Sequence, residues 1–201
     1  MERKVLVAST NVKKTAEMLA ILRSAVPSVE YVTLAEYVGA PEVDECGETF
    51  MENARIKATA GLALSGLPTI ADDGGLCIDA LDGQPGVKSH RFLGEHTTFP
   101  EKMSYILDKL RSEPISGRTC RFQCAVAVAF PDGRLFECMG TCEGVIGDQI
   151  TGSNGFGYDP IFYLPELGRY MAELTPDEKH RISHRGKALA KVADLLRNEL
   201  S

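Results

Sequence analysis

No apolar stretch in this 201-residue chain approaches the roughly 20 residues that span a bilayer. Met1-Glu2-Arg3-Lys4 leads into a run too short for a signal peptide, so a soluble cytoplasmic protein without membrane association is expected. Positive charge is in deficit: 22 Lys and Arg stand against 28 Asp and Glu, a net charge of -6. Long-range attraction to DNA, RNA or an anionic membrane is therefore not expected, and a small anion would need a local basic pocket. No Cys-x-x-Cys occurs among the six cysteines. Cys120/Cys124 and Cys138/Cys142 fall in strand-like segments, where a period of two puts both members of each pair on one sheet face. Free thiols filling small core sites in a reducing compartment are preferred to a four-cysteine zinc site across that sheet. Gly-x-x-x-x-Gly-Lys is missing, which excludes a Walker A loop. Internal repeats, low-complexity tracts and evident linkers are missing as well. What remains is an ordinary globular composition, 44% apolar and 25% charged, expected to form a single domain over residues 1–201 with room for two lobes.

The apolar pattern alternates strand and helix. Val5 to Ala8 reads as a buried strand, Ser9-Thr10-Asn11 as a loop, and Lys14 to Arg23 as a helix with Leu19 and Leu22 inward. After the acidic stretch from Glu42 to Glu45, Thr49 and Glu52 have capping-box spacing. The helix they open carries Phe50, Ala54, Ala58 and Leu62 on one face and Asn53 and Lys57 on another. Thr69-Ile70-Ala71 is expected as a short strand delivering Asp72 and Asp73. Thr98 and Glu101 open a helix with Met103, Ile106, Leu107 and Leu110 inward. Alternation from Cys120 to Phe130 marks a strand, and Pro131-Asp132-Gly133 turns it into a return strand through Leu135-Phe136. A glycine-rich loop spans Gly152 to Pro160. Thr175-Pro176 and Glu178 start a further helix, and Leu189, Val192, Leu196 and Leu200 line a C-terminal one beginning near Ser183. The fold class is α/β, with a buried parallel part and a hairpin.

Asp72-Asp73-Gly74-Gly75 concentrates the chemistry. Two adjacent ionised carboxylates repel, so an apolar run ending in them points into solvent or to a cation, although Asp-Asp-Gly is also ordinary turn chemistry. Phosphate chemistry needs donors for anionic oxygens, a divalent metal, and a base or oriented water. Ser9, Thr10, Asn11 and Lys14 lie where a first strand meets a first helix, a place suited either to phosphate or to simple N-capping. Glu45 and one of the aspartates would meet the one or two carboxylates that magnesium takes, leaving the other aspartate for the attacking water. Phe156-Gly157-Tyr158-Asp159 suits a flat base, although buried aromatics near glycines are more often core. Lys179, His184 and Arg185 lie near helix starts, as a solvated basic face or as donors to acceptors such as a purine carbonyl.

Laid in order, these segments closely resemble the inosine triphosphate pyrophosphatase family. The resemblance rests on Ala8–Lys14, Thr49–Ala54, Ala71–Leu76, Pro85–Phe92, Gly155–Pro160 and Ile182–Gly186. It implies magnesium-dependent hydrolysis of non-standard purine nucleoside triphosphates (ITP, dITP, XTP) to the monophosphate and pyrophosphate. It implies further a homodimer and an elongated mixed-sheet fold with two lobes flanking a central active-site cleft. By position, Ser9, Thr10, Asn11, Val12, Lys13 and Lys14 look like the triphosphate loop, with Asn53, Lys57 and Gly74 as further substrate contacts. Glu45 and Asp73 look like magnesium ligands and Asp73 like the general base, with Asp72 an additional metal-site residue. Phe156, Gly157, Tyr158, Asp159, Lys179, His184 and Arg185 look like the base pocket.

Two positions depart from the family pattern. Gly74 stands where many relatives carry serine, and His90 where a small residue is commoner. Neither departure removes a carboxylate or phosphate ligand, so activity is expected. The alternatives are a pyrophosphatase for other modified nucleotides and a nucleotide-binding sensor without turnover.

Overall fold

The computed structural model describes residues 3–37, 39 and 43–199. Met1, Glu2, Glu42 and Leu200 lie outside them. The chain forms five α-helices and seven strands among the described residues. In order these are β1 (Lys4–Val7), α1 (Val12–Ala25), β2 (Glu30–Thr33), α2 (Phe50–Ser65), β3 (Thr69–Ile78) and α3 (Phe99–Lys109). They continue as β4 (Thr119–Ala129), β5 (Leu135–Ile146), β6 (Phe162–Leu164), β7 (Arg169–Tyr170), α4 (Pro176–Ile182) and α5 (His184–Glu199). The strands lie in the order β2-β1-β3-β4-β5-β6-β7. β1 pairs in parallel with β2 and with β3, whereas β5–β6 and β6–β7 are antiparallel, so the sheet is mixed as the α/β pattern requires. Among the described residues no helix is long and apolar enough to cross a membrane.

The chain divides into two compact units. The first comprises Met1–Asp73, Cys124–Gly140 and His184–Ser201. Val5, Val7 and Ile70 of the parallel strands, Val126 and Val128 of β4, Met18 and Leu22 of α1, and Leu189, Val192 and Leu196 of α5 form its core. α2 covers the opposite face: at Gly61 an added Cβ would lie 3.0 Å from Ala8 Cβ and 3.2 Å from Leu6 Cδ2. The second unit comprises Gly74–Gln123 and Thr141–Ser183. Leu76, Ile78, Met103, Ile106, Phe122, Ile146 and Phe162 belong to its core.

The local signals act as read. Thr49, Thr98 and Thr175 each accept from the backbone three residues on, with Glu52, Glu101 and Glu178 reaching back. α1 begins earlier than expected because Asn11 Oδ1 accepts from both Lys13 N and Lys14 N at 3.1 Å, placing Val12 and Lys13 in its first turn. Met18 is fully buried there, while Leu19 only packs against the core edge. The strand expected to stop before the aspartates instead runs for ten residues through Asp72, Asp73, Gly74 and Gly75. With strands on both sides, its backbone is held in the ladder, and the two carboxylates become strand residues rather than a turn. Gly75 is required by packing: a Cβ there would meet Ser89 Oγ at 2.2 Å and the Gly86 carbonyl oxygen at 2.6 Å. Cys120, Cys124, Cys138 and Cys142 are buried free thiols, Cys77 is half-buried, and Cys46 is exposed, so not every cysteine fills a core site.

Candidate active site

Successive side chains of a strand leave on opposite faces, and this separates the two aspartates of β3. Asp73 shares its face with Thr69 and meets α2. Asn53 Nδ2 donates to Asp73 Oδ2 at 3.1 Å, and Lys57 Nζ lies 3.7 Å from Asp73 Oδ1. Lys14 Nζ, from α1, approaches the same oxygen at 3.8 Å. Lys57 Nζ also donates to Glu45 Oε1 at 2.9 Å, so Glu45 and Asp73 converge on one ammonium. Asn53 ties the group together, because its Oδ1 accepts from Gly47 N at 2.8 Å. A Cβ at Gly47 would fall 2.7 Å from that oxygen, which explains the glycine two residues after Glu45.

Asp72 faces α1 and α5. Its Oδ2 accepts from Arg185 Nε at 3.0 Å and Arg185 Nη2 at 2.8 Å, and from the Cys124 thiol at 3.6 Å. Arg185 Nη1 donates to Glu17 Oε2 at 2.8 Å, completing a buried Asp72–Arg185–Glu17 chain. Asp72 Oδ1 is buried with no hydrogen-bond partner among the described residues. Glu17 and Cys124 join the site without having been expected there from the sequence. Glu17 carries a usable signal, being one helical turn beyond Lys14 on α1.

The two environments set opposite proton affinities. Burial alone would raise Asp72, but the charges of Lys14, Arg185 and Lys57 outweigh it and hold Asp72 well below the usual carboxylate range. At Asp73 burial prevails, helped by the Glu45 charge and only partly offset by Lys57, Lys14 and Asn53, and its proton affinity rises. Lys57 shifts upward: burial opposes its charge, yet Asp73, Asp72 and Glu45 together overcome that. It is therefore a fixed cation.

The donor set here fits a divalent cation. Two carboxylates already converge on a positive centre, and magnesium takes only one or two protein carboxylates, filling its other positions with water and phosphate. Among the described residues no three His, Cys, Asp or Glu side chains converge, and Asp72, bound to Arg185 on the other face, is not brought to Glu45 and Asp73. The strand geometry thus favours Glu45 with Asp73 over the three-residue set.

In the loop between β1 and α1, Ser9 Oγ accepts from Asn11 N at 3.3 Å, and Thr15 Oγ1 donates to the carbonyls of Ser9 and Asn11. Thr10, Val12 and Lys13 are exposed, Val12 at 81%. The start of this 14-residue helix carries the positive end of the helix dipole, with Asn11 Oδ1 already occupying the Lys13 and Lys14 amides.

The second unit holds a separate constellation. Asp159 Oδ2 accepts from Phe156 N at 2.8 Å and from Lys179 Nζ at 2.7 Å, with Asp159 and Lys179 only 2% and 4% exposed. Lys179 Nζ sits 4.7 Å from the Phe156 ring centroid. Gly155 has φ +72° and no room for a side chain, since a Cβ would lie 2.1 Å from Asp159 Oδ2. Tyr158 is buried in the core, its hydroxyl donating to the Ser89 carbonyl at 2.9 Å and its ring edge-on to Phe99 at 5.2 Å. Lys179, His184 and Arg185 are all buried, so none forms a solvated basic face. Gly74 and the segment Phe156–Asp159 with Lys179 belong to this unit, His184 and Arg185 to the first. His90 is exposed, its ring edge-on to Phe99 with centroids 6.3 Å apart, so that departure touches packing beside Tyr158.

The family model described as the Ham1 family matches residues 5–195. The chain is 45% identical over 190 residues to a dITP/XTP pyrophosphatase of Geobacillus kaustophilus, covering 94% of this chain and 92% of that protein. It is 46% identical over 189 residues to a dITP/XTP pyrophosphatase of Exiguobacterium sibiricum, covering 94% of each. Among solved structures, a HAM1 protein from Coxiella burnetii is similar with a TM-score of 0.86 and 40% identity, over 97% of this chain and 98% of that one.

Proposed function

Because the chain belongs to the Ham1 family, we propose that it hydrolyses non-standard purine nucleoside triphosphates, ITP, dITP and XTP, to the monophosphate and pyrophosphate. The observation that carries this reading is the convergence of Glu45 and Asp73 on Lys57, with Asn53 fixing both the Asp73 carboxylate and the segment after Glu45.

Glu45 and Asp73 would hold magnesium, which when bound neutralises phosphate charge and polarises the scissile centre. Lys14, Lys57 and the positive end of α1, with Ser9, Thr10, Asn11, Val12 and Lys13, bind the triphosphate oxygens. Asp73 accepts a proton from water as the water oxygen bonds to the α-phosphorus and the α–β bridging bond breaks. Pyrophosphate leaves and the monophosphate remains. A buried carboxylate with a raised proton affinity suits a general base better than one held fully ionised, as Asp72 is.

Phe156 offers a ring face to the purine and Gly157 close backbone approach. Lys179 donates to the 6-oxo group while Asp159 fixes its position. A 6-amino group presents donors to an ammonium and is refused; such an unpaired buried contact is worth about 1–3 kcal/mol. Tyr158 supports this loop from the core, and Gly74 contributes backbone only. His184 and Arg185 make further substrate contacts, Arg185 serving both Asp72 and the substrate.

The resemblance extends the reading to a homodimer, checked by light scattering. The four buried free thiols support placing it in the reducing cytoplasm. The decisive assay incubates the protein and magnesium with ITP, dITP, XTP, ATP and GTP and separates the products. Monophosphate and pyrophosphate from the first three are expected; single phosphate as first product, or equal turnover of all five, would overturn the assignment.

A further inference from the structure

Lys102 lies on α3 of the second unit, 2% exposed, with no carboxylate partner among the described residues. An ammonium buried this way is costly unless its donors and charge are met. Its ammonium donates to the His90 carbonyl, and it stands 5.0 Å from the Phe99 ring centroid. Burial lowers its pKa, as expected where no anion offsets desolvation. An apolar residue would suit this position better if packing were the only requirement.

The carbonyl it holds belongs to a segment tied on every side. Ser89 Oγ accepts from Leu76 N at 2.9 Å, the Ser89 carbonyl accepts from the Tyr158 hydroxyl, and the next carbonyl, His90, accepts from Lys102. Phe99 links the same parts. Its ring meets His90 and Tyr158 edge-on, and a Cβ at Gly157 would touch it at 3.7 Å. Lys102 therefore fixes the ring that supports Gly157 and Tyr158, the middle of the segment whose ends are Phe156 and Asp159.

We propose that Lys102 is a positioning residue for purine recognition: its hold on the His90 carbonyl and on Phe99 keeps Phe156 and Asp159 in the arrangement that Lys179 uses. This rests on the base-binding role proposed above for Phe156, Asp159 and Lys179.

The test uses the full-length protein with magnesium and ITP, and calorimetric binding of inosine monophosphate and of inorganic tripolyphosphate. Loss of a charge-assisted hydrogen bond predicts that Lys102→Met raises the KM for ITP and weakens inosine monophosphate binding by about tenfold. The kcat and tripolyphosphate affinity are expected to stay within about twofold, and Lys102→Arg to recover most of the loss. Phe99→Leu, which leaves the ammonium in place, carries the same expectation should Lys102→Met prove insoluble. Unchanged KM, or parallel loss of inosine monophosphate and tripolyphosphate binding, would overturn the inference. Wild-type protein that turns over ITP while the variants match it sinks only this role, whereas wild type inert toward all the non-standard nucleotides sinks the proposed function with it.

Discussion

Burial raises the proton affinity of a carboxylate, and at Asp72 the charges of Lys14, Arg185 and Lys57 reverse that effect, whereas at Asp73 it survives. The stability consequences have opposite signs. A carboxylate held below its unfolded value of about 4 contributes stability that is present above that pH and is lost as pH falls toward the folded value. Asp72→Asn should therefore destabilise the protein at neutral pH and flatten its acid-unfolding profile, as read by denaturant midpoints from pH 7 downward. Asp73 is raised, so its ionised form is disfavoured by folding. Asp73→Asn in chelator at pH 7 is expected to melt no lower than wild type while its turnover with magnesium falls by about 100-fold or more, the scale of a lost general base. Full activity in that variant would remove Asp73 from the chemistry. The sequence displays both aspartates and suggests a cation for each. It does not display their division of labour, because Asp72 meets Arg185 113 residues away and nothing local announces the pairing. Lys102 is illegible for a similar reason: on a helix it reads as a solvated lysine, and only tertiary packing buries it.

Elements announced by short-range chemistry were readable, and their capping can be tested in isolation. Thr49 and Glu52 cap α2 reciprocally, and α2 carries Asn53 and Lys57, so Thr49→Ala is expected to cost about 1 kcal/mol in denaturant unfolding. β4 was legible through its alternation. β3 was legible only in part: its first residues are apolar, but its continuation depends on neighbouring strands and on cations for its charges. Gly75 makes room for Ser89 and the Gly86 carbonyl, a tertiary requirement that its position after two aspartates does not announce. Gly75→Ala should cost about 1–3 kcal/mol through overpacking, since backbone as well as the serine stands in the way. A denaturation midpoint equal to that of wild type would show that the segment yields freely.

On the scale of the whole molecule, the α/β class and the element order followed from the hydrophobic pattern, while the partition into two units did not. No composition shift or linker marks it, because β3, β4 and β5 are each shared between the units. The first unit depends on α5 for part of its core and for Arg185. Arg185→Met leaves the buried Asp72 carboxylate without its guanidinium, with the charges of Lys14 and Lys57 and the Cys124 thiol left to offset it, and should cost up to about 3–5 kcal/mol of stability. Adding Asp72→Asn should recover part of that loss in a double-mutant cycle, and strict additivity would show that the two residues do not interact.

Chain order gives the Asp72–Arg185 pair one more consequence. During synthesis the amino-terminal segment leaves the ribosome first, yet the guanidinium for Asp72 is encoded 113 residues later. A nascent or prematurely terminated polypeptide lacking His184–Glu199 carries a strand whose buried carboxylate has no arginine. Synthesis of α5 is thus coupled to completion of this half of the fold, and products truncated before it are expected to be protease-sensitive rather than partly active.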